Sequence, residues 1–249
     1  MDTAKLPPET RRLWERLRQE PLLAGFVLVG GTALTLRIGH RVSEDLDFAC
    51  LDQLLPVRRL TLLGQRLHAH GITLQANQDT AAEQDFIDAG LRLDEHQQDY
   101  VAALPEGRVK LSFVRFDNGL TSLLAGAADS PLRVASLDEV FKLKALVCAD
   151  RSRTRDWFDL YVLMTQHGFE ASDFHRAFIE ADKAGSFDIA CMRLRSCTPS
   201  LADPGYTHLL STAPSLDQMR SFFAEALDRL EIDLSAAAFK AAADYDGLR

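Results

Sequence analysis

The sequence predicts an α+β chain. A strand-based part with flanking helices occupies residues 1–136, and an all-helical part occupies residues 137–249. Three observations predict it. The apolar run from Phe26 to Val29 is broken by two glycines, then followed by a helix-forming segment and a second strand that alternates acids with core residues. Residues 108–116 alternate with period two. From Ser136 onward, helical spacing and capping signals replace that alternation.

In order, residues 8–19 read as a helix with Leu13, Trp14 and Leu17 on one stripe. Strand 26–29, the glycine turn, helical segment 32–38 and strand 45–50 follow. Residues 56–70 form a second amphipathic helix, capped by Gly71, and 72–76 a weak strand, which lays a helix across a sheet face. Residues 78–99 are acidic and polar, and 85–93 fit a strand or an irregular insertion equally well. A short apolar run at 100–104 precedes a turn and the central strand 108–116; a short strand follows at 132–135. Ser136 and Glu139 fit a capping box opening a helix to about residue 149. Further helices span 153–167, 172–183, 187–195, 217–231 and 234–245, with a loop at 199–214.

The chain of 249 residues is 47% hydrophobic, enough for a full core. Its net charge of −8 argues against a broadly basic nucleic-acid surface and against anionic membranes, but leaves room for a local basic patch. Cys50, Cys148, Cys191 and Cys197 show no zinc or C-x-x-C spacing, so buried free thiols are expected. No leader pattern opens the chain and no apolar run approaches the ~20 residues of a membrane span. A reducing cytoplasm fits these features.

The chemistry gathers at residues 26–48. Side chains two apart on a strand share a face, so Asp45 and Asp47 point one way while Leu46 and Phe48 enter the core. Paired carboxylates repel and call for a cation, and Mg²⁺, or Mn²⁺ in its place, takes oxygen ligands and shares its shell with phosphates. Gly30 and Gly31 let the backbone approach a ligand, and the helix start after them favours an anion. The set makes a seat for a nucleoside triphosphate and its metal. Thr32 either donates to a phosphate or caps the helix. Arg41 either meets a phosphate or pairs with Glu44 or Asp45, and Ser43 either binds phosphate or makes the turn. Neither the P-loop nor the dinucleotide fingerprint is present. A second Asp-x-Asp, Asp244 with Asp246, lacks a glycine turn and reads as solvated surface.

Gly30-Gly31-Thr32-Ala33-Leu34, Gly39-His40-Arg41, Ser43 and Asp45-Leu46-Asp47-Phe48 resemble the first motif of the AbiEii/AbiGii toxin family of nucleotidyltransferases, within the polymerase-β-like superfamily. The resemblance implies a small mixed nucleotidyltransferase sheet with flanking helices, then a C-terminal helical bundle that completes the nucleotide cleft. It implies Mg²⁺-dependent transfer of NMP from NTP to an acceptor hydroxyl, with tRNA or another RNA as acceptor and a cognate antitoxin as partner. Lys142 to Leu146 resembles a K-x-x-A-L motif, and Arg155 to Tyr161 an R-D-x-x-D-L-Y motif. Carried over, Lys142 faces the nucleotide phosphates, with Lys144 the poorer match. Asp156 assists that lysine or the base side of the pocket, and Arg155 and Asp159 buttress it. Arg151, Arg153 and Arg155 form a basic strip able to meet an acceptor or to serve as a solvated face.

The chain departs from the superfamily in one respect. A third carboxylate is expected on the strand of residues 109–113, where Ser112 stands instead. A hydroxyl does not supply that charge. Either another acid serves, with Glu95, Asp94 and Asp117 the distant alternatives, or a single metal suffices, or transfer is weak or lost. Ser112 also supports a second reading, a degenerate transferase fold that binds without turnover.

Overall fold

The computed structural model describes residues 1–77, 80–124, 126, 131–203, 205 and 213–246, with side chains as far as residue 240. The chain divides into two compact units, Met1–Val140 and Phe141–Arg249.

The first unit opens with α1, Pro8–Leu17, whose buried stripe is Leu13, Trp14 and Leu17 as the spacing requires. Then come β1 (Phe26–Val29), α2 (Gly30–Ile38), β2 (Leu46–Cys50), α3 (Val57–His68) and β3 (Thr73–Ala76). They are followed by α4 (Thr80–Asp88), β4 (Gln97–Leu104), β5 (Gly107–Arg115), α5 (Asn118–Ser122) and β6 (Arg133–Val134). Among the described residues the strands form one six-stranded sheet in the order β3-β4-β5-β2-β1-β6. β1 runs parallel to β6 and β2 parallel to β5, and the other pairings are antiparallel, so the sheet is mixed. β5 lies inside it, as its alternation predicts.

One sheet face is the core. Phe113 stacks on Phe48 at 5.0 Å between ring centroids and meets Phe26 edge-on at 5.5 Å. Each such side chain contributes about 1.5–3 kcal/mol on burial. Leu60, Leu63 and Leu67 of α3 are buried, again the stripe read from the sequence.

Three expectations change here. Residues 85–93 are not a strand: α4 covers 85–88, carried by the helix formers Ala81, Ala82, Glu83 and Gln84, and an irregular stretch follows at 89–92. The strand expected at 100–104 begins at Gln97, because the ladder to β5 satisfies the polar backbone from there. The glycine pair also forms no separate turn, since α2 starts at Gly30 itself.

The second unit is helical. α6 (Leu137–Asp150) crosses into it and is followed by α7 (Thr154–Gln166), α8 (Ala171–Glu180), α9 (Phe187–Ser196) and α10 (Leu216–Asp246). The capping box is present: the Ser136 hydroxyl accepts from the Glu139 amide at 3.2 Å, and Glu139 Oε2 accepts from the Ser136 amide at 2.7 Å. The two helices expected at 217–231 and 234–245 are one, since Ile232 and Asp233 hold no helix-breaking residue. Phe187 packs with Phe174 and Phe178, and Phe141 stacks on Phe169 at 4.4 Å. The four cysteines are free and buried. Among the described residues no helix is long and apolar enough to cross a membrane. Most of the expected loop 199–214 (residue 204 and residues 206–212), together with the side chains of Asp244 and Asp246, lies outside the described residues.

Candidate active site

β1 ends at Val29, which lies in register with Asp47 of β2. The next residue, Gly30, has φ +70°, a conformation that side chains disfavour. A Cβ there would stand 2.7 Å from Asp47 Oδ2. Glycine is thus required twice, once by the backbone and once by the carboxylate seated against the start of α2. Asp45, immediately before β2, and Asp47 within it are half-buried, while Leu46 and Phe48 are fully buried. Among the described residues the Asp45 carboxylate carries no hydrogen bond or ion pair.

Gly31 has its own constraint. A Cβ there would lie 2.5 Å from Arg41 Nη2 and 3.2 Å from Ser43 Oγ. Arg41 is 3% exposed and its Nη1 donates to the Val42 carbonyl at 3.0 Å. The Thr32 hydroxyl donates to the Asp45 carbonyl and lies 2.8 Å from Ser43 Oγ. Thr32 has one proton to give, so Ser43 is the donor in that second bond. Thr32 therefore ties the carboxylate strand to α2. In this structure its proton goes to that carbonyl. Ser43 and Arg41 are buried parts of the same brace, and Arg41 fills the space that Gly31 leaves.

Ser112, at the position on β5 where an acid is expected, lies in register with Asp47 across the parallel β2–β5 pair. The distant alternatives are engaged elsewhere. Asp94 and Glu95 pair with Arg92 at 2.7 and 3.5 Å, and Asp117 caps α5 by accepting from the Leu120 amide at 2.8 Å. Sequence reasoning missed Asp99, which faces Ser112 from β4 and accepts its hydroxyl proton at 2.5 Å. A signal existed. The two-residue turn Pro105-Glu106 joins β4 to β5 with Leu104 opposite Gly107, and counting back from it sets Asp99 opposite Ser112.

The second constellation lies wholly within the helical unit. Lys144 Nζ is 2.6 Å from Asp156 Oδ1 and 2.8 Å from Asp159 Oδ2, with all three side chains buried. Arg151 Nε reaches Asp156 Oδ2 at 2.8 Å. Burial pushes the Asp156 carboxyl up, but Lys144 and Arg151 outweigh it and hold the group below its ordinary value. Lys142 pairs instead with Glu180 at 2.7 Å. Asp156, expected to assist Lys142, is instead paired with Lys144, as is Asp159. Asp156 and Asp159 do share one face of α7, as their spacing requires. Arg155 makes no ion pair among the described residues, so it does not buttress Asp159. Arg151, an exposed side chain, also braces Asp156.

No group of three or more His, Cys, Asp or Glu side chains able to hold a metal occurs among the described residues. Asp45 and Asp47 alone suit Mg²⁺, which is commonly bound by one or two carboxylates with phosphates and water completing its shell.

A curated Aquifex aeolicus (strain VF5) protein, "Uncharacterized protein aq_aa25", is 26% identical over 172 residues, 69% of this chain and 73% of that protein. Two solved Helicobacter pylori structures are each 20% identical. One, described as an inferred nucleotidyltransferase, has a TM-score of 0.48 and covers 90% of this chain and 98% of its own. The other, JHP933, has a TM-score of 0.47 and covers 94% and 99%. The model of the family "Nucleotidyl transferase AbiEii toxin, Type IV TA system" matches residues 12–246, nearly the whole chain, and the protein therefore belongs to that family.

Proposed function

We propose that the protein is an active, Mg²⁺-dependent nucleotidyltransferase that moves NMP from an NTP to an acceptor hydroxyl on RNA, with tRNA the first candidate, as the toxin of a type IV pair. The reading rests on one observation above others. The Asp45 carboxylate is unengaged among the described residues and lies two residues before Asp47, whose oxygen abuts the glycine at the head of α2.

In this mechanism Asp45 and Asp47 would hold the divalent ion. When bound, that ion offsets charge on the triphosphate and on the departing pyrophosphate. The Gly30-Gly31 backbone leaves room for the phosphates, and the amides at the head of α2 favour their charge. Thr32, Ser43 and Arg41 keep β2 and α2 in that relation. The reaction as proposed draws only on groups of the first unit. Lys144, Asp156 and Asp159 form a framework inside the second. The family brings an antitoxin as partner. We place the protein in the reducing cytoplasm, where four buried thiols stay free.

The test is incubation with each α-labelled NTP, Mg²⁺ and total RNA. Label should enter RNA, and the Asp45→Ala, Asp47→Ala double variant should abolish it. A second reading, binding without turnover, is favoured only by Ser112 standing in register with Asp47. Nucleotide binding by calorimetry with no label transfer under any of these conditions would establish that second reading and exclude the first.

A further inference from the structure

The serine that replaces the expected acid is not isolated. Asp47 is in register with Ser112 on one side, and Ser112 with Asp99 on the other. Residues in lateral register point to the same sheet face. Asp47, Ser112 and Asp99 therefore form a row across β2, β5 and β4, on the face opposite the Phe48 and Phe113 stack. Ser112 is 8% exposed, and its proton goes to Asp99 Oδ1 at 2.5 Å. Asp99 Oδ2 accepts from Gln97 Nε2 at 2.6 Å. The bond direction matters. A serine that donates to a carboxylate keeps its lone pairs for a proton arriving from elsewhere. Asp99 stands one strand beyond Ser112, so its charge reaches the Asp47 side through the hydroxyl.

We propose that Ser112 and Asp99 form a proton relay that serves as the general base of the transfer. This rests on the nucleotidyltransferase reading above and replaces the missing third carboxylate by a two-residue device. The acceptor O–H bond breaks and its proton passes to Ser112 Oγ, while the Ser112 proton passes to Asp99 Oδ1. The acceptor oxygen forms its bond to the α-phosphorus, and the bond from that phosphorus to the bridging oxygen breaks, with pyrophosphate leaving on that electron pair. Ser112 is the catalytic residue of the pair because it meets the acceptor. Asp99 acts through it.

The variant D99N tests the relay cleanly, because an asparagine oxygen still accepts the Ser112 hydrogen bond but takes up no proton. With α-labelled NTP, Mg²⁺ and total RNA, D99N should lower the maximal transfer rate by about 100-fold, the lower range for a general base. KM for NTP, and Mn²⁺-nucleotide affinity by calorimetry, should stay within twofold of wild type. S112A should match D99N, and D99N/S112D should recover activity by moving the base to the neighbouring strand. D99N transferring label at the wild-type rate, while D45A/D47A is inactive, overturns the relay and leaves the transferase reading standing. Loss of Mn²⁺-nucleotide affinity in folded D99N also overturns it, by making Asp99 a binding group. If D99N does not fold, S112A decides: transfer at the wild-type rate in that variant overturns the relay equally. A wild-type protein that transfers no label overturns both readings together.

Discussion

Replacing Gly30 by alanine separates the backbone demand at the head of α2 from the demand of the carboxylate. Gly30 has φ +70°, and its Cβ would stand 2.7 Å from Asp47 Oδ2. Gly71, between α3 and β3, has φ +75° with nothing within 4 Å of its Cβ. The left-handed conformation alone costs a non-glycine residue about 1–2 kcal/mol. Gly71→Ala should therefore lose that much and nothing else. Gly30→Ala should lose the same amount plus the cost of moving Asp47, for a total of about 2–4 kcal/mol if relief comes by an off-rotamer shift of that side chain. Urea unfolding of both variants measures the difference. Mn²⁺-nucleotide calorimetry measures the functional part, which should fall at least tenfold in Gly30→Ala and stay unchanged in Gly71→Ala. Equal stability losses, with wild-type nucleotide affinity in Gly30→Ala, would refute the claim that Asp47 is seated by this glycine.

Two further outcomes follow from the buried charges. Lys144→Met removes a cation that lies within 3 Å of both Asp156 and Asp159 and leaves their carboxylates buried, so it should cost about 3–5 kcal/mol in urea unfolding; a loss below about 1 kcal/mol would show that the trio is not buried in solution. Stability should also fall on acidification. Asp156 and Glu139 both hold folded-state pKa values below their ordinary 3.8 and 4.5, where burial is outweighed by Lys144 and Arg151 for the first and by Arg133 for the second. Their contribution is intact above those ordinary values and is lost as pH falls through the lower folded ones. Urea midpoints should be level near neutrality and drop below about pH 4, and a midpoint that holds constant down to pH 3 would refute the assignment.

The parts of the fold that are legible in the sequence are those where periodicity meets burial on one side. α1, α3 and β5 announce themselves because each has one buried stripe or face, and Ser136 with Glu139 announces the start of α6 by paired capping chemistry. α4 is illegible for the opposite reason. Not one of its residues is buried, so no stripe distinguishes it from a polar insertion. The single helix α10 reads as two because its hydrophobic pattern weakens near Ile232, which is exposed, although nothing there breaks the backbone.

At the candidate site the sequence shows types and spacings but not which neighbour completes a pair. Lys142 and Lys144 lie two apart on a helix, roughly 200° around its axis, so only one can meet the carboxylates of α7. The motif favours Lys142. The 3.6 periodicity favours Lys144, which shares the buried stripe of Val140, Phe141, Ala145 and Cys148, and the structure follows that stripe. Asp99 makes the same argument across strands. No local motif marks it, because it meets Ser112 through the register of a hairpin and Asp47 only through a third strand. A spacing motif records contacts along one element. The acid that stands nearest the serine arrives by pairing, and pairing becomes readable once the turn at Pro105-Glu106 is counted from both sides.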